Sequence, residues 1–407
     1  MINYYYNSLV VKKLKNHISK INSIFKVFLI SKKIFKRPKI AEILIYDTSG
    51  ADIFLPYFKN FSVEILPTRK ETINIYCLFK SFTYKAFWIG DILTAYTDAF
   101  IHAVNPKLII TYIDNNPNFY TLKSRFPKVK TVFVQNGSRS EICDIFGSIK
   151  HDPKYNVDYM LVHNHLVGAK YSSYIFGETK VVGSFKSNEI PIKVHTPKKS
   201  LLFISQWHDI QDIMDLPICK TSQGLNYLHR EFYEAENFVV PFLYNYCCEK
   251  NLNFKICGRQ ITSGNQEREY YDRILGTNKW EYIPKSLKTN TYEIVDSAEV
   301  VVFIDSTLGY EALGRGKKSA CFSVRGNPLY FTDNKFGYPA PFLDNGPFWT
   351  NFRDKKQFRR VLDYLFSLSN YEWTETLQMY LNDLMEFDQG NTRFVKLLEQ
   401  LLPNSQK

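Results

Sequence analysis

The stretch Val300 to Gly316, Val-Val-Val-Phe-Ile-Asp-Ser-Thr-Leu-Gly-Tyr-Glu-Ala-Leu-Gly-Arg-Gly, constrains the fold more than any other. Five apolar residues in a row, Val300 to Ile304, suit a strand covered on both faces, as in a parallel sheet flanked by helices. Asp305-Ser306-Thr307 then reads as a small polar turn, and the residues after it as a short helix closed by glycine. A turn of this kind offers hydroxyls and backbone N–H groups where the helix dipole favours an anion, so a phosphate-bearing ligand is its natural occupant. The plainer reading is that Ser306 or Thr307 only caps the helix. No capping box completes it, because the residues three further on are Gly309 and Tyr310.

At 407 residues the chain exceeds one ordinary core, and short apolar runs alternate with helix-length segments throughout. Ile43–Tyr46, Leu108–Ile113, Thr131–Val134, Tyr159–Val162 and Lys180–Val182 read as strands of a first half. Leu201–Ile204, Phe254–Cys257, Val300–Ile304 and Ala320–Val324 read as strands of a second, with a long helix from about Arg230 to Lys250. Gly183 to Ser200, with Pro191, Pro197 and no clear period, reads as the linker. The expected organisation is a basic segment over 1–40, an N-terminal Rossmann-like domain over 41–190, a C-terminal one over 191–355 and helices over 356–407, crossing back in the manner of two-lobed folds. The expected fold class is α/β, two parallel-sheet domains facing a cleft.

The formal charge of +12 is concentrated at one end. Ten lysines and arginines precede the first carboxylate, Glu42, which leaves +2 (12 − 10) for everything after it. A nucleic-acid surface is therefore not implied. The same segment interleaves Leu9, Leu14, Ile18, Ile21, Phe25 and Phe28 with lysines at helical spacing. It reads either as an interfacial helix at an inner-membrane face or as an ordinary surface helix. Its longest apolar run is too short to span a bilayer. Seven scattered cysteines without a Cys-x-x-Cys pair suit a reducing cytoplasm, so the expected location is cytoplasmic, peripheral at the inner membrane if the basic segment binds there.

Several chemistries lack their signatures. There is no dinucleotide fingerprint, no Walker A loop, no Asp-x-Asp and no zinc motif. A reaction without metal or cofactor is expected. His163 and His165, at a strand end, are not expected to hold one metal between them. What remains are polar residues after the expected strands, where open parallel sheets bind ligands. They are Asp47, Asp114, Gln135–Arg139 and His163–His165 in the first half. In the second they are Ser205-Gln206, Gly258-Arg259, Asp305–Thr307 and Arg325–Asn327.

Three strings carry a resemblance: Val134-Gln-Asn-Gly-Ser-Arg139, Asp305-Ser-Thr-Leu-Gly-Tyr-Glu-Ala-Leu313 and Asp388-Gln-Gly-Asn-Thr-Arg-Phe394. They look like bacterial surface-carbohydrate biosynthesis proteins of the GT-B glycosyltransferase group, with a more distant similarity to capsule Kdo transferases and teichoic-acid glycerophosphotransferases. Related proteins often carry histidine where this chain has Asn136, and asparagine takes no proton near neutral pH. The resemblance implies a nucleotide-activated sugar as donor, a CMP-ulosonic acid among the options, and a glycan or lipid-linked acceptor. In that reading Ser306, Thr307, the Gly309 backbone and Arg259 hold the donor phosphate and Glu311 the ribose. Gln135, Asn136, Gly137 and Arg139 face the acceptor, and Asp114, then Asp47, is the candidate base. A nucleotide-sugar epimerase of the same architecture, a polyol-phosphate transferase and a non-catalytic polysaccharide-assembly protein remain open.

Overall fold

The computed structural model describes residues 29–69, 71–89, 91–141, 144–193, 199–220, 226–261, 263–277, 279–286, 290–325 and 335–403. The basic segment before Leu29 and the residues Gly326-Asn327 lie outside them. Two six-stranded sheets organise the rest.

The first sheet comprises β1 (Ile43–Tyr46), β2 (Val63–Leu66), β3 (Leu108–Thr111), β4 (Lys130–Val134), β5 (Asn156–Val162) and β6 (Phe176–Val181), in the order β2-β1-β3-β4-β5-β6. The second comprises β7 (Ser200–Ile204), β8 (Asn253–Cys257), β9 (Glu281–Ile283), β10 (Val300–Phe303), β11 (Ser319–Phe322) and β12 (Trp349–Thr350), in the order β9-β8-β7-β10-β11-β12. Pairing is parallel, with Phe203 of β7 opposite both Ile256 and Val302. Every residue of β1, β3, β7, β10 and β11 is buried, which is why these strands read as unbroken apolar runs. The α/β expectation of two parallel sheets is met.

By compactness the chain divides into two units. One holds the described residues up to Val134 with Pro153–Met160 and the residues from Val395 on; the other holds Gln135–Asp152 and Leu161–Phe394. In each sheet the chain starts in the interior and builds outward both ways. The reversal falls between β1 and β3 in the first sheet and between β7 and β10 in the second. Outside such a reversal the connecting segments diverge and leave a crevice at the carboxyl ends of the strands.

The second core is closed by helices α1 (Ala235–Lys250), α2 (Lys355–Ser367) and α3 (Asn370–Leu384). Phe358 of α2 stacks on Phe322 at 4.1 Å between centroids. Three readings need correction. The strands β2, β9 and β12 were not expected; each carries at most one apolar face or is too short to show a pattern. The long helix is broken at Glu234, which separates His229–Tyr233 from α1. The supposed linker contains a built turn: Ser184 caps the helix Phe185–Glu189, and buried Asn188 donates to Val182 O at 2.7 Å and Asn391 Oδ1 at 2.9 Å. Side-chain amides hold that turn, so hydrophobic periodicity gives no sign of it.

The helix α4 (Thr307–Gly314) lies against β10 so closely that a Cβ on Gly309 would sit 2.0 Å from the Phe303 ring. Gly309→Ala should therefore lower the stability by about 1–3 kcal/mol through overpacking. Urea unfolding measures it, and an unchanged midpoint would show that the contact yields freely.

Candidate functional site

The reversal in the second sheet places Ser205-Gln206 after β7 and Asp305-Ser306 after β10, side by side in the chain-end row. Arg259 follows β8 and Arg325 follows β11. Together they border a cavity of about 380 Å³ that lies wholly in the second unit. Arg139, Arg259, Arg325 and Lys335 line it, against the carboxylates of Asp144 and Asp305.

Arg325 is the anchor of this wall. Its side chain is 1% exposed and its Nε donates to Asp305 Oδ1 and Oδ2 at 3.1 and 2.8 Å. Its Nη2 donates to Gln206 Oε1 at 3.1 Å and lies 3.6 Å from Glu236, and its Nη1 donates to Phe232 O. The guanidinium also sits over the Phe232 ring at 4.6 Å. Burial alone would lower its pKa, but the Asp305 and Glu236 charges outweigh that and hold it above the ordinary value. Glu236 is itself pushed up by burial, opposed by Arg325 and by the Tyr271 hydroxyl, which donates at 2.6 Å.

Arg259 is held differently. Its backbone N–H donates to buried Glu267, whereas its Nη1 donates to Gln206 O at 3.2 Å and meets His208 Nε2. Among the described residues its guanidinium has no carboxylate in ion-pair range. Burial and then the charges of Arg259 and Arg325 push the His208 pKa down to about 4, so His208 is neutral near pH 7. The cavity's positive charge therefore comes from guanidinium and ammonium groups.

The loop after β4 lines the same cavity through Gln135, Ser138 and Arg139. Gln135 accepts from His163 N at 2.9 Å and donates to Gly137 O at 2.8 Å. Arg139 donates to Asn136 Oδ1 and lies 3.7 Å from Asp144. Ser138 N donates to Thr307 Oγ1 at 2.9 Å, joining loop and helix α4 across 169 residues of sequence. A Cβ on Gly137 would lie 3.3 Å from that hydroxyl. His163 lines the cavity, and His165, which opens the helix His165–Ser172 after the strand has ended at Val162, lies 3.5 Å from Asp383.

The motif around Ser306 is placed less simply. Ser306 occupies the N-cap position without a side-chain cap bond, and the Gly309 N–H is taken by Ser306 O at 2.9 Å. Glu311 is buried, accepts from the Ser184 hydroxyl and has its pKa raised by that burial. None of Ser306, Thr307, Gly309 or Glu311 lines the cavity, whereas Gln135, Arg139 and Arg259 do.

Asp47 and Asp114 belong to the first unit, at the reversal of the first sheet after β1 and β3. Asp47, at φ 93°, accepts from Ser49 N at 2.8 Å, Thr68 Oγ1 at 2.6 Å and Arg69 Nε at 3.1 Å. Asp114 is fully buried, and its carbonyl accepts from Tyr120. Among the described residues no three His, Cys, Asp or Glu side chains gather as a metal-holding group.

A sequence-family profile described as "putative O-antigen biosynthesis protein" matches residues 132–402, about two thirds of the chain. The chain belongs to that family. The match takes in the Gln135 loop, Arg259, the Ser306 helix and Arg325, so the whole cavity wall lies inside the O-antigen biosynthesis family region. No curated protein matches the chain in sequence. Among solved structures, the S. aureus MnaA–UDP complex superposes with a TM-score of 0.51 at 12% identity, covering 91% of this chain and 97% of that one. The Neisseria meningitidis UDP-GlcNAc 2-epimerase bound to UDP-GlcNAc gives 0.50 at 9% identity, covering 88% and 99%. At such identity these likenesses establish the fold, which is GT-B-like.

Sequence reading missed His208 and Lys335 and left Arg325 as one strand-end residue among many. No local motif marks them; only their convergence does. Removing Arg325 strands Asp305 and Glu236 without their cation. Arg325→Met should cost about 3–5 kcal/mol in urea unfolding, and a loss below about 1 kcal/mol would show that the wall does not depend on it. For His208 the folded pKa lies below the unfolded one, so the unfolded chain takes up the proton first. As pH falls from about 6.5 to about 4 the wild type should lose stability relative to His208→Asn, and parallel curves would contradict the shift.

Proposed function

We propose that this chain is a nucleotide-sugar-dependent glycosyltransferase of O-antigen assembly. The observation that carries the reading is the cation-lined cavity at the strand-order reversal of the second sheet, in a chain of that family. The nucleoside diphosphate or monophosphate leaving group develops negative charge as its bond to the sugar breaks. Preorganised cations in a partly dry site stabilise that charge without reorganisation. Arg259 grips the phosphate, because its charge is not already spent on a carboxylate; Arg139, which lines the same cavity, assists. Thr307 and Ser138 fix the loop that carries Arg139.

A second cavity of about 720 Å³ shares His208 and Tyr233 with the first. Trp207 and Tyr270 line it, 6.3 Å apart, with Asp209 and Glu269. Aromatic faces and hydroxyl-accepting carboxylates suit a saccharide, so the sugar end of the ligand is assigned there. Acceptor activation needs a proton carrier. His163 is the assigned base, since it lines the cavity and its main chain is held by Gln135 and by Glu386 N. Asp47 and Asp114, both buried and in the lining of neither cavity, give up the base role expected of them to His163.

The test is a thermal-shift and calorimetric screen of UDP, CMP, GDP, CDP and ADP, with and without magnesium. One nucleotide class should bind selectively, and Arg259→Ala should weaken it about tenfold to a hundredfold. His163→Gln should leave that affinity intact and lower turnover about a hundredfold or more. Binding indifferent to Arg259 would overturn the donor assignment; interconversion of the donor sugar without acceptor would make the protein an epimerase.

A further inference from the structure

The first unit carries an exposed apolar surface that neither cavity uses. The strand Lys32–Ile34 pairs in parallel with Thr72–Asn74, which sets residues 29–40 beside the helix Ile75–Ser81. Asn74 stitches the two: its Oδ1 caps the helix at Cys77 N, 3.0 Å, while its Nδ2 donates to Lys36 O at 2.9 Å. Arg37 lies 5.7 Å from the centre of the Tyr76 ring. A second short helix, Lys85–Trp88, folds back so that Phe87 and Phe82 meet at 4.4 Å, and Trp88 Nε1 donates to Phe82 O at 2.8 Å.

This scaffold holds large apolar side chains out in solvent. Ile30, Phe35, Phe79, Trp88 and Ile89 are each 68–86% exposed. Soluble surfaces rarely gather so many, and such a patch marks an interaction site. Its charge decides the partner. Residues 29–40 and 72–89 carry seven lysines and arginines, Lys32, Lys33, Lys36, Arg37, Lys39, Lys80 and Lys85, and no carboxylate. A second copy would bring like charge against like, and so would the lysine-rich residues that precede Leu29. An anionic bilayer supplies both complements: an apolar interior for the rings and a negative headgroup layer for the cations. Aromatic residues with a satisfied polar handle, such as Trp88, settle at that boundary.

We propose that the surface built from residues 29–40 and 72–89 docks this protein on an anionic phospholipid membrane, with Phe79, Trp88 and Ile89 inserted and Lys80 and Lys85 at the headgroups. Among the described residues no helix is long and apolar enough to cross a membrane, and docking of this kind requires none. The proposal stands apart from the glycosyltransferase reading, since none of these residues lines either cavity.

The experiment is flotation of the full chain with vesicles of phosphatidylcholine alone and of phosphatidylcholine with phosphatidylglycerol, at low and high salt. The wild type should float with the anionic vesicles and less so at high salt. Phe79→Ser/Ile89→Ser should bind at least about tenfold more weakly, with an unchanged melting temperature because both side chains are 68% exposed and neither can hydrogen-bond. Lys80→Glu/Lys85→Glu should lose about tenfold or more on anionic vesicles and little on neutral ones. Vesicle binding equal to wild type in both variants would overturn the proposal. So would a dimer in sedimentation velocity that Phe79→Ser/Ile89→Ser dissociates while flotation is unaffected, since a second copy would then be the occupant.

Discussion

A guanidinium removed from water is costly, and the second unit is arranged around making one tolerable. Arg325 is sealed beneath the crevice of the second sheet, and the groups that compensate it come from several elements: Asp305 after β10, Gln206 after β7, Phe232 and Glu236 from the helical segments beyond. A buried ion pair of this kind adds little net stability compared with an apolar replacement. What it does is fix positions, because any strand-end shift leaves a charge or a donor unmatched.

Glu236 and Glu267 extend the same order outward. Glu236 accepts from Tyr271 and from Gln206 N, and Glu267 accepts from Ser205, Tyr282 and the backbone N–H groups of Arg259 and Gln260. Carboxylates thus consume the polar groups that shape the wall and leave the Arg259 guanidinium aimed at the cavity beside a neutral histidine. In the proposed donor site this division commits one arginine to structure and leaves the next for ligand. The loop at Gln135 obeys the same logic, with its own amide closing the turn and Ser138 tying it to Thr307.

Legibility in the sequence followed burial. Strands enclosed on both faces, such as Leu201–Ile204 and Val300–Phe303, announced themselves as apolar runs because each position meets a hydrophobic neighbour. The edge strand Glu281–Ile283 did not, since an edge is half exposed and its composition follows local needs, and the buried Trp349–Thr350 is too short to show a pattern. Of the polar residues that follow separate strands, Gln206, Arg259, Asp305 and Arg325 line one cavity. Their individual duties were not readable. Glu311 turned inward to Ser184, and Gly309 serves the contact with Phe303.

The sequence alone determined the class of the fold, the position of the polar strand ends and the family signature, because these follow from apolar periodicity and from short contiguous strings. Tertiary structure alone decided which cations face the cavity, which are neutralised beneath it, and that two segments forty residues apart make one basic, aromatic surface. Those outcomes depend on the spacing of side chains remote in sequence, and electrostatic and packing energies change steeply over the few ångströms that only folding sets.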